Sequence, residues 1–142
     1  MKIQFITTAF NGMAQRLWIE LDRLNHEVKV LIATSSENMI YAVNEYKPNL
    51  IIAPFLTTKI PSEIYNNYIC LIVHPGIKGD RGASSLDWAI LQNKKTWGVT
   101  ILQAVEKMDS GDIWALNEFE MRPVSKGEIY RNEVTQAAAK GI

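Results

Sequence analysis

Residues 69–82 read Ile-Cys-Leu-Ile-Val-His-Pro-Gly-Ile-Lys-Gly-Asp-Arg-Gly, and this stretch decides both the fold class and the place of the functional site. Residues 69–73 are apolar throughout, which is typical of a strand buried on both faces in a parallel sheet covered by helices. His74 is therefore expected at the carboxyl end of that strand, where open α/β sheets bind their ligands. Glycines at positions 76, 79 and 82 then allow sharp bends and close approach to a ligand.

The segments on either side alternate between short apolar strands and amphipathic helices, the pattern of an α/β domain. Strands are predicted at residues 2–8, 28–33, 50–53, 69–73, 97–104 and 113–121. Helices are predicted at residues 13–25, 36–46, 84–90 and 125–139, with a short helical turn at 63–66. We expect a mostly parallel, Rossmann-like sheet with helices on both faces, ending in an antiparallel hairpin. The four tryptophans fit core positions: Trp18, Trp88, Trp97 and Trp114.

Length and composition narrow the class of protein. The 142 residues suffice for one domain with a core, and 15 basic residues balance 15 acidic ones, which gives no support to nucleic-acid or anionic-membrane binding. The single cysteine, Cys70, excludes a disulfide framework and is interpreted as a buried structural thiol. The amino terminus makes a poor signal peptide, and no apolar run approaches a membrane span, so a cytoplasmic protein is expected. The abrupt ending after the last helix indicates a piece of a longer protein.

A histidine and an aspartate delivered by separate loops form the candidate chemical pair. His74 ends the buried strand, and Asp109 lies in the loop Met-Asp-Ser-Gly-Asp at residues 108–112. Histidine is the usual proton-transfer side chain near neutral pH, and a neighbouring carboxylate orients it. The alternatives are structural: a histidine that only caps the strand end, and aspartates that only form turns, an interpretation left open for Asp112.

Further polar residues stand at the expected ligand edge. Arg81 ends the glycine-punctuated loop, whose tip at residues 78–81 is otherwise a solvated surface turn. Asn11 and Gln15 begin the first helix, whose N-terminus either binds an anion such as phosphate or is an ordinary helix start. Arg131 is either a solvated cation or a partner for a ligand phosphate or carboxylate. The motifs GxGxxG and GxxxxGK[ST] are absent and no cluster of metal ligands occurs, so no metal is predicted.

The order of these blocks resembles the 10-formyltetrahydrofolate-dependent formyltransferases, which include methionyl-tRNA and glycinamide ribonucleotide formyltransferases. The matching blocks are His-Pro at 74–75, Arg-Gly at 81–82, Trp-Ala-Ile at 88–90, Gly-Val-Thr-Ile at 98–101 and Asp-Ser-Gly-Asp at 109–112. The resemblance covers most of the chain and is strongest at residues 50–114. It implies the formyltransferase fold and 10-formyltetrahydrofolate as the formyl donor.

Within that superfamily the chain is most similar to one branch. His-Pro-Gly-Ile-Lys-Gly-Asp-Arg-Gly at 74–82, Ser-Ser-Leu-Asp-Trp-Ala-Ile at 84–90 and residues 130–136 resemble the HypX/HoxX proteins of [NiFe]-hydrogenase maturation. The resemblance implies that residues 1–142 form a single N-terminal formyltransferase domain of a longer protein with an enoyl-CoA-hydratase-like domain. It also implies that other hydrogenase maturation proteins are partners. The expected reaction is transfer of the formyl group to coenzyme A during synthesis of the carbon monoxide ligand.

The resemblance assigns roles to individual positions. His74 matches the family histidine that assists transfer, and Asp109 matches its partner aspartate. Two segments would hold the folate, largely through backbone groups: Pro54, Phe55, Leu56 and Thr57 in the first, and Lys107, Met108 and Asp112 in the second. The candidates on the acceptor side, where coenzyme A would bind, are Asn11, Gln15, Arg81 and Arg131.

One position departs from the family pattern. Ordinary members carry Asn-x-His, whose asparagine donates a hydrogen bond to the formyl oxygen, whereas this chain has Ile72-Val73-His74. Removing such a donor costs about 100- to 1,000-fold in rate. The favoured explanation is a changed acceptor, because a thiol forms its nucleophile more readily than an amine. The alternatives are another oxyanion donor, a non-catalytic folate-binding module, or an ordinary amine formyltransferase such as one acting on methionyl-tRNA.

Overall fold

Six strands and the helices between them make up the fold in the computed structural model, which describes residues 1–82 and 84–142. The strands are β1 (Lys2–Thr7), β2 (Glu27–Ile32), β3 (Leu50–Ala53), β4 (Cys70–His74), β5 (Thr96–Gln103) and β6 (Ile113–Glu120). The helices are α1 (Gly12–Arg23), α2 (Ser36–Tyr46), α3 (Ser62–Tyr65), α4 (Ser85–Leu91), α5 (Lys126–Ile129) and α6 (Thr135–Gly141).

The strands form one mixed sheet in the order β2-β1-β3-β4-β5-β6. The first four in that order are parallel, and β5 and β6 are each antiparallel to the preceding strand. The prediction of a mostly parallel α/β sheet that ends in an antiparallel pair is confirmed. A terminal hairpin requires only that β6 run antiparallel to β5. In the structure β5 is also antiparallel to β4, so the strand direction already reverses there.

Apolar side chains cover both faces of the sheet, which explains why the central strands read as continuous apolar runs. On one face, α1, α4 and α6 pack against strand residues that include Phe5, Val99 and Ile101. On the other face, α2 and α3 contribute Met39, Val43 and Ile64 to a cluster that contains Ile51 and Cys70. No helix in the described ranges is long and apolar enough to cross a membrane.

Two of the four tryptophans are not core residues, contrary to the sequence prediction. Trp97 is 4% exposed and Trp18 packs at the edge of the core, but Trp88 is 58% exposed and Trp114 is 53% exposed. The short helix α4 buries Ser85, Leu86 and Ala89, so Trp88 faces away from the sheet. Trp114 lies on the edge strand β6, where alternate side chains point to solvent.

The last helix is not continuous over the predicted span. Between α5 and α6, residues Tyr130–Val134 form a π-helical turn, and the Thr135 hydroxyl donates a hydrogen bond of 2.7 Å to the Tyr130 carbonyl. Such turns insert one extra residue into a helix and occur often at functional sites. Here the turn carries Tyr130, which lines a cavity beside the carboxyl ends of the parallel strands.

Candidate active site

His74 is the last residue of β4, and its imidazole is almost completely buried at 4% exposure. Its Nδ1 lies 3.4 Å from Oδ2 of Asp109, whose side chain is only 7% exposed. The same carboxylate oxygen accepts a hydrogen bond of 2.9 Å from the backbone N–H of Gly82. The structure therefore brings the predicted histidine and aspartate together and fixes the aspartate against the loop that follows His74.

Buried hydrogen bonds from β5 hold the loop after His74 in place. The Trp97 indole N–H donates to the Pro75 carbonyl at 2.9 Å, and the Thr100 hydroxyl donates to the Gly76 carbonyl at 2.7 Å. Antiparallel pairing of β4 with β5 sets Thr100 opposite His74, which puts this donor beside the loop. Further along, Gly79 and Gly82 adopt φ values of +88° and +89°, which side chains rarely allow.

A second loop, residues 104–112 between β5 and β6, delivers Asp109. Asp109 has a φ of +53°, a conformation that aspartate tolerates better than most residues. The Ser110 hydroxyl donates to the Lys107 carbonyl at 2.7 Å, and the Gln103 N–H donates to the Asp112 carbonyl at 2.8 Å. Gly111 packs so closely on the Gln103 carbonyl that a Cβ atom would overlap it. The loop is therefore a compact platform for Asp109.

A cavity of about 370 Å³ opens at the carboxyl ends of β3 and β4, as predicted for an α/β sheet. His74, Asp109 and Ile72 all line it, so the position of the family asparagine does face the pair. Its other walls come from the loop after β3, the loop after β5, the start of α4 and the last helix: Pro54–Ile60, Ala104, Val105, Met108, Gly82, Ser84–Leu86, Lys126 and Tyr130.

The predicted folate-binding segments divide between the cavity and the surface. Pro54, Phe55, Leu56, Thr57 and Met108 line the cavity. Lys107 and Asp112 are exposed and are not among its lining residues.

Free backbone groups occur where the first segment meets the cavity. Thr8 pairs with both Phe55 and Thr57, donating its N–H to the Phe55 carbonyl and accepting from the Thr57 N–H on its hydroxyl. Leu56, between them, makes no backbone hydrogen bond to any residue in the ranges 1–82 and 84–142. Its N–H and carbonyl are therefore available to a ligand or to water.

The four acceptor-side candidates lie outside the cavity wall. Asn11 caps α1, accepting a hydrogen bond from the Ala14 N–H at 2.9 Å, and Gln15 donates to the Phe10 carbonyl at 2.9 Å. Arg131 donates to Glu128 at 2.8 Å, and Arg81 is exposed on the loop after β4. Asn11 nevertheless lies near the cavity, because its side chain is close enough to the Tyr130 hydroxyl to lower the pKa of that group.

Tyr130 was not identified from the sequence. Its ring packs edge-on against Phe55 with centroids 6.5 Å apart, so it joins the last helix to the loop after β3. Burial raises the pKa of its hydroxyl, an effect that the neighbouring Asn11 side chain partly opposes. The phenol therefore stays protonated and can donate a hydrogen bond at neutral pH. Its apolar-face position was visible in the sequence, but the cavity that it would meet was not.

Asp80 was also missed, and the interpretation of residues 78–81 as a solvated tip is wrong for this residue. Its Oδ2 lies 2.9 Å from Nε2 of His74, and its side chain is 25% exposed. The relevant signal was its position six residues after a buried histidine in a loop with three glycines, which can fold back on the strand end.

Metal ions and cysteine thiols are two further sources of reactivity in enzyme sites. In the described part of the chain, no set of three or more His, Cys, Asp or Glu side chains is placed to hold a metal ion. Cys70 is fully buried in the core beneath α2 and α3, where burial raises the pKa of its thiol.

Comparison with known proteins matches this geometry to one family. The model of the formyl transferase family matches residues 11–142. Hydrogenase maturation factor HoxX of Bradyrhizobium diazoefficiens is 42% identical over 142 residues, which is 100% of this chain and 25% of HoxX. The crystal structure of HypX from Aquifex aeolicus in complex with tetrahydrofolic acid superposes with a TM-score of 0.98 and 48% identity, covering 99% of this chain and 25% of HypX.

A more distant relative is the methionyl-tRNA formyltransferase of Bacillus subtilis, 29% identical over 129 residues, or 86% of this chain and 40% of that protein. The chain belongs to the formyl transferase family and is a formyl-transfer enzyme domain. More narrowly, it is a formyltransferase domain of the HypX/HoxX type, a homologue of hydrogenase maturation factors. It spans about a quarter of the length of those relatives.

Proposed function

We propose that this domain binds 10-formyltetrahydrofolate in the cavity at the ends of β3 and β4 and passes its formyl group to the thiol of coenzyme A. The observation that carries the proposal is the buried His74–Asp109 pair, which lines a cavity that the loop Pro54–Thr57 also lines. A donor held by that loop would present its reactive carbon to the pair. The tetrahydrofolate complex of Aquifex aeolicus HypX supports folate as the ligand class.

The cavity suits a flat heteroaromatic ring with polar edges. Much of its wall is apolar, including Phe55, Ile60, Leu86 and Ala104, and unpaired backbone groups at Leu56 offer both a donor and an acceptor. Ligand sites of this kind combine apolar walls with a few fixed polar groups that set orientation. The pterin would therefore lie against the loop after β3, in a cavity that Met108 also lines.

The choice of a thiol as acceptor follows from Ile72. This side chain lines the cavity beside His74, and it has no group that can donate a hydrogen bond to the formyl oxygen. A thiolate is a stronger nucleophile than a neutral amine and needs less help from the site. Cys70 does not fill that role, because it is buried away from the cavity, so the thiol comes from a second substrate.

His74 and Asp109 would handle the proton that moves from acceptor to donor. The expected enoyl-CoA-hydratase-like part of a longer protein would then act on the formyl thioester to release carbon monoxide for hydrogenase maturation. This division of work is consistent with a chain that spans a quarter of its HoxX and HypX relatives.

The direct test supplies the full-length protein with 10-formyltetrahydrofolate and either coenzyme A or a primary amine, and measures tetrahydrofolate release together with the formylated acceptor. We expect transfer to coenzyme A to exceed transfer to the amine, and His74→Ala to lower it by about 100- to 10,000-fold. Equal transfer to the amine would contradict the changed acceptor. A folded protein that binds folate and transfers nothing would favour the non-catalytic binding module.

Ile72→Asn tests the acceptor argument at a single position. Restoring an amide donor beside the formyl oxygen should raise transfer to an amine, by up to about 100-fold if the donor acts as in other enzymes. The conservative variant Ile72→Val keeps an apolar side chain and should leave the preference for coenzyme A unchanged. If Ile72→Asn alters neither acceptor rate, Ile72 is not the reason for the acceptor preference.

A further inference from the structure

His74 is held by two carboxylates, and only one of them, Asp109, is used in the proton transfer described for the family. Nε2 lies 2.9 Å from Oδ2 of Asp80, closer than the 3.4 Å between Nδ1 and Oδ2 of Asp109. An ionised carboxylate can only accept hydrogen bonds, so a contact of 2.9 Å means that Nε2 carries a hydrogen and donates it to Asp80.

The loop after β4 is built so that Asp80 can reach the ring. The backbone at Gly76 lies close to both side chains. A Cβ atom at this position would collide with both His74 Nε2 and Asp80 Oδ2. The loop backbone is tied down at the Gly76 carbonyl by the hydroxyl of Thr100, which is 1% exposed, and the Asp80 N–H closes a turn on the Ile77 carbonyl at 3.0 Å. The contact is therefore held by a buried hydrogen bond at Gly76 and by a backbone turn at Asp80.

The two carboxylates approach the imidazole from different environments. His74 and Asp109 line the cavity, whereas Asp80 is not among its lining residues. The Asp80 side chain is 25% exposed, against 7% for Asp109 and 4% for His74. Asp80 thus binds the ring on its solvent side and leaves the Nδ1–Asp109 edge for a bound substrate.

We propose that Asp80 is a positioning residue that fixes the orientation and tautomer of His74, so that the mobile proton of formyl transfer resides between Nδ1 and Asp109. The hydrogen bond made by one ring nitrogen determines which nitrogen of a histidine is protonated. With the Nε2 hydrogen committed to Asp80, Nδ1 is the ring nitrogen left to exchange the transferred proton, and Asp109 lies beside it at 3.4 Å.

This inference rests on the proposed function, and its proton balance closes without another reactant. The acceptor sulfur forms a bond to the formyl carbon and gives up its proton to the Nδ1–Asp109 pair. The bond from the formyl carbon to N10 of the folate breaks, and N10 takes this proton from the pair. The hydrogen on Nε2 stays with Asp80 throughout, so the site ends the cycle as it began.

The test compares kcat and KM for 10-formyltetrahydrofolate in the full-length protein, with tetrahydrofolate affinity as a separate readout. Asp80→Asn removes the charge that selects the tautomer and should lower kcat by about 100-fold or more while KM and tetrahydrofolate affinity stay unchanged. Gly76→Ala should give the same pattern with every charge retained, because its methyl group separates Asp80 from Nε2. Asp22→Asn removes an exposed carboxylate on α1 and should behave as wild type.

Each result decides between definite alternatives. One outcome is that the Asp80→Asn variant keeps the wild-type kcat while the separate His74→Ala variant is inactive. This outcome would overturn the role of Asp80 and leave the proposed function standing. Asp80→Asn that loses tetrahydrofolate affinity together with kcat would overturn it too, since Asp80 would then act in binding or folding. If His74→Ala itself retains wild-type activity, the proposed function fails before the question of Asp80 arises.

Discussion

Alternate residues of β4 pass from the core into the cavity. Cys70, Ile72 and His74 point to the same side of the strand, since side chains alternate along it. Cys70 is fully buried, Ile72 packs against the same cluster and lines the cavity, and His74 joins the cavity at the strand end. Cys70 and Ile72 thus form the support on which His74 is presented at the end of the strand.

Cys70 gives a prediction at the residue scale. Burial raises the pKa of its thiol, so the reactive thiolate is rare at neutral pH and reagents have no path to it. We expect Cys70 to be unmodified by a thiol reagent such as 5,5′-dithiobis(2-nitrobenzoate) in the native chain, and to react fully once the chain is unfolded. Rapid modification of Cys70 in the native chain would contradict both its burial and the need for an external thiol.

Single residues also show what the sequence could and could not reveal. His74 and Asp109 were predictable because each follows a strand whose end must face the ligand edge. Asp80 was not, because its contact depends on how a loop with three glycines folds back, and glycine permits many such paths. Trp88 and Trp114 were expected in the core, whereas their burial depends on which side of α4 and β6 faces the sheet.

At the scale of elements, the connection between β5 and β6 has the tightest backbone approach at the site. Gly111 lies against the Gln103 carbonyl, two residues after Asp109 in the same loop. Gly111→Ala should push the loop away from β5, displace Asp109 from His74 and lower the free energy of unfolding by about 1–3 kcal/mol. Chemical denaturation and the formyl-transfer rate would measure the two effects.

The matched control is another glycine-to-alanine change in open surroundings. Gly127 lies in α5, and an added Cβ would contact only the Arg131 guanidinium at 3.8 Å or beyond. Gly127→Ala should raise the free energy of unfolding by about 0.5–1 kcal/mol, because alanine loses less backbone entropy in a helix. If Gly111→Ala is as well tolerated as Gly127→Ala, the loop is not the rigid platform that the close approach indicates.

Elements differ in how far the sequence determined them. The lengths of the strands and their order along the chain were predictable from apolar runs and turn residues. The direction of β5 in the sheet was not. A strand buried on both faces has the same composition whether it runs with or against its neighbour, so the reversal between β4 and β5 is set by the loop and α4. The π-helical turn at Tyr130–Val134 likewise leaves the apolar periodicity of the last helix nearly intact.

At the scale of the whole molecule, the sheet gathers residues from distant parts of the chain at one edge. Loops after β3, β4 and β5 and the last helix converge there, and one cavity is lined by residues from each: Pro54–Ile60, 72–75, Ala104, Val105, Met108, Asp109, Lys126 and Tyr130. Lys126 of α5, which lines the cavity, also forms an ion pair of 2.8 Å with Asp87 of α4. The family resemblance named most of these segments, but only the structure shows that Lys107 and Asp112 stand apart from them.

The most direct measurement is a calorimetric titration of the full-length protein with tetrahydrofolate, in wild type and in two tryptophan variants. Leu56→Trp narrows the cavity from a half-buried position, and Leu24→Trp places the same bulk on an exposed site, 64% accessible, past the end of α1. We predict saturable one-site binding that Leu56→Trp weakens by at least about 10-fold, or about 1.4 kcal/mol, and that Leu24→Trp leaves unchanged. Absence of binding by the folded wild type, or wild-type affinity in Leu56→Trp, would contradict a folate site in this cavity.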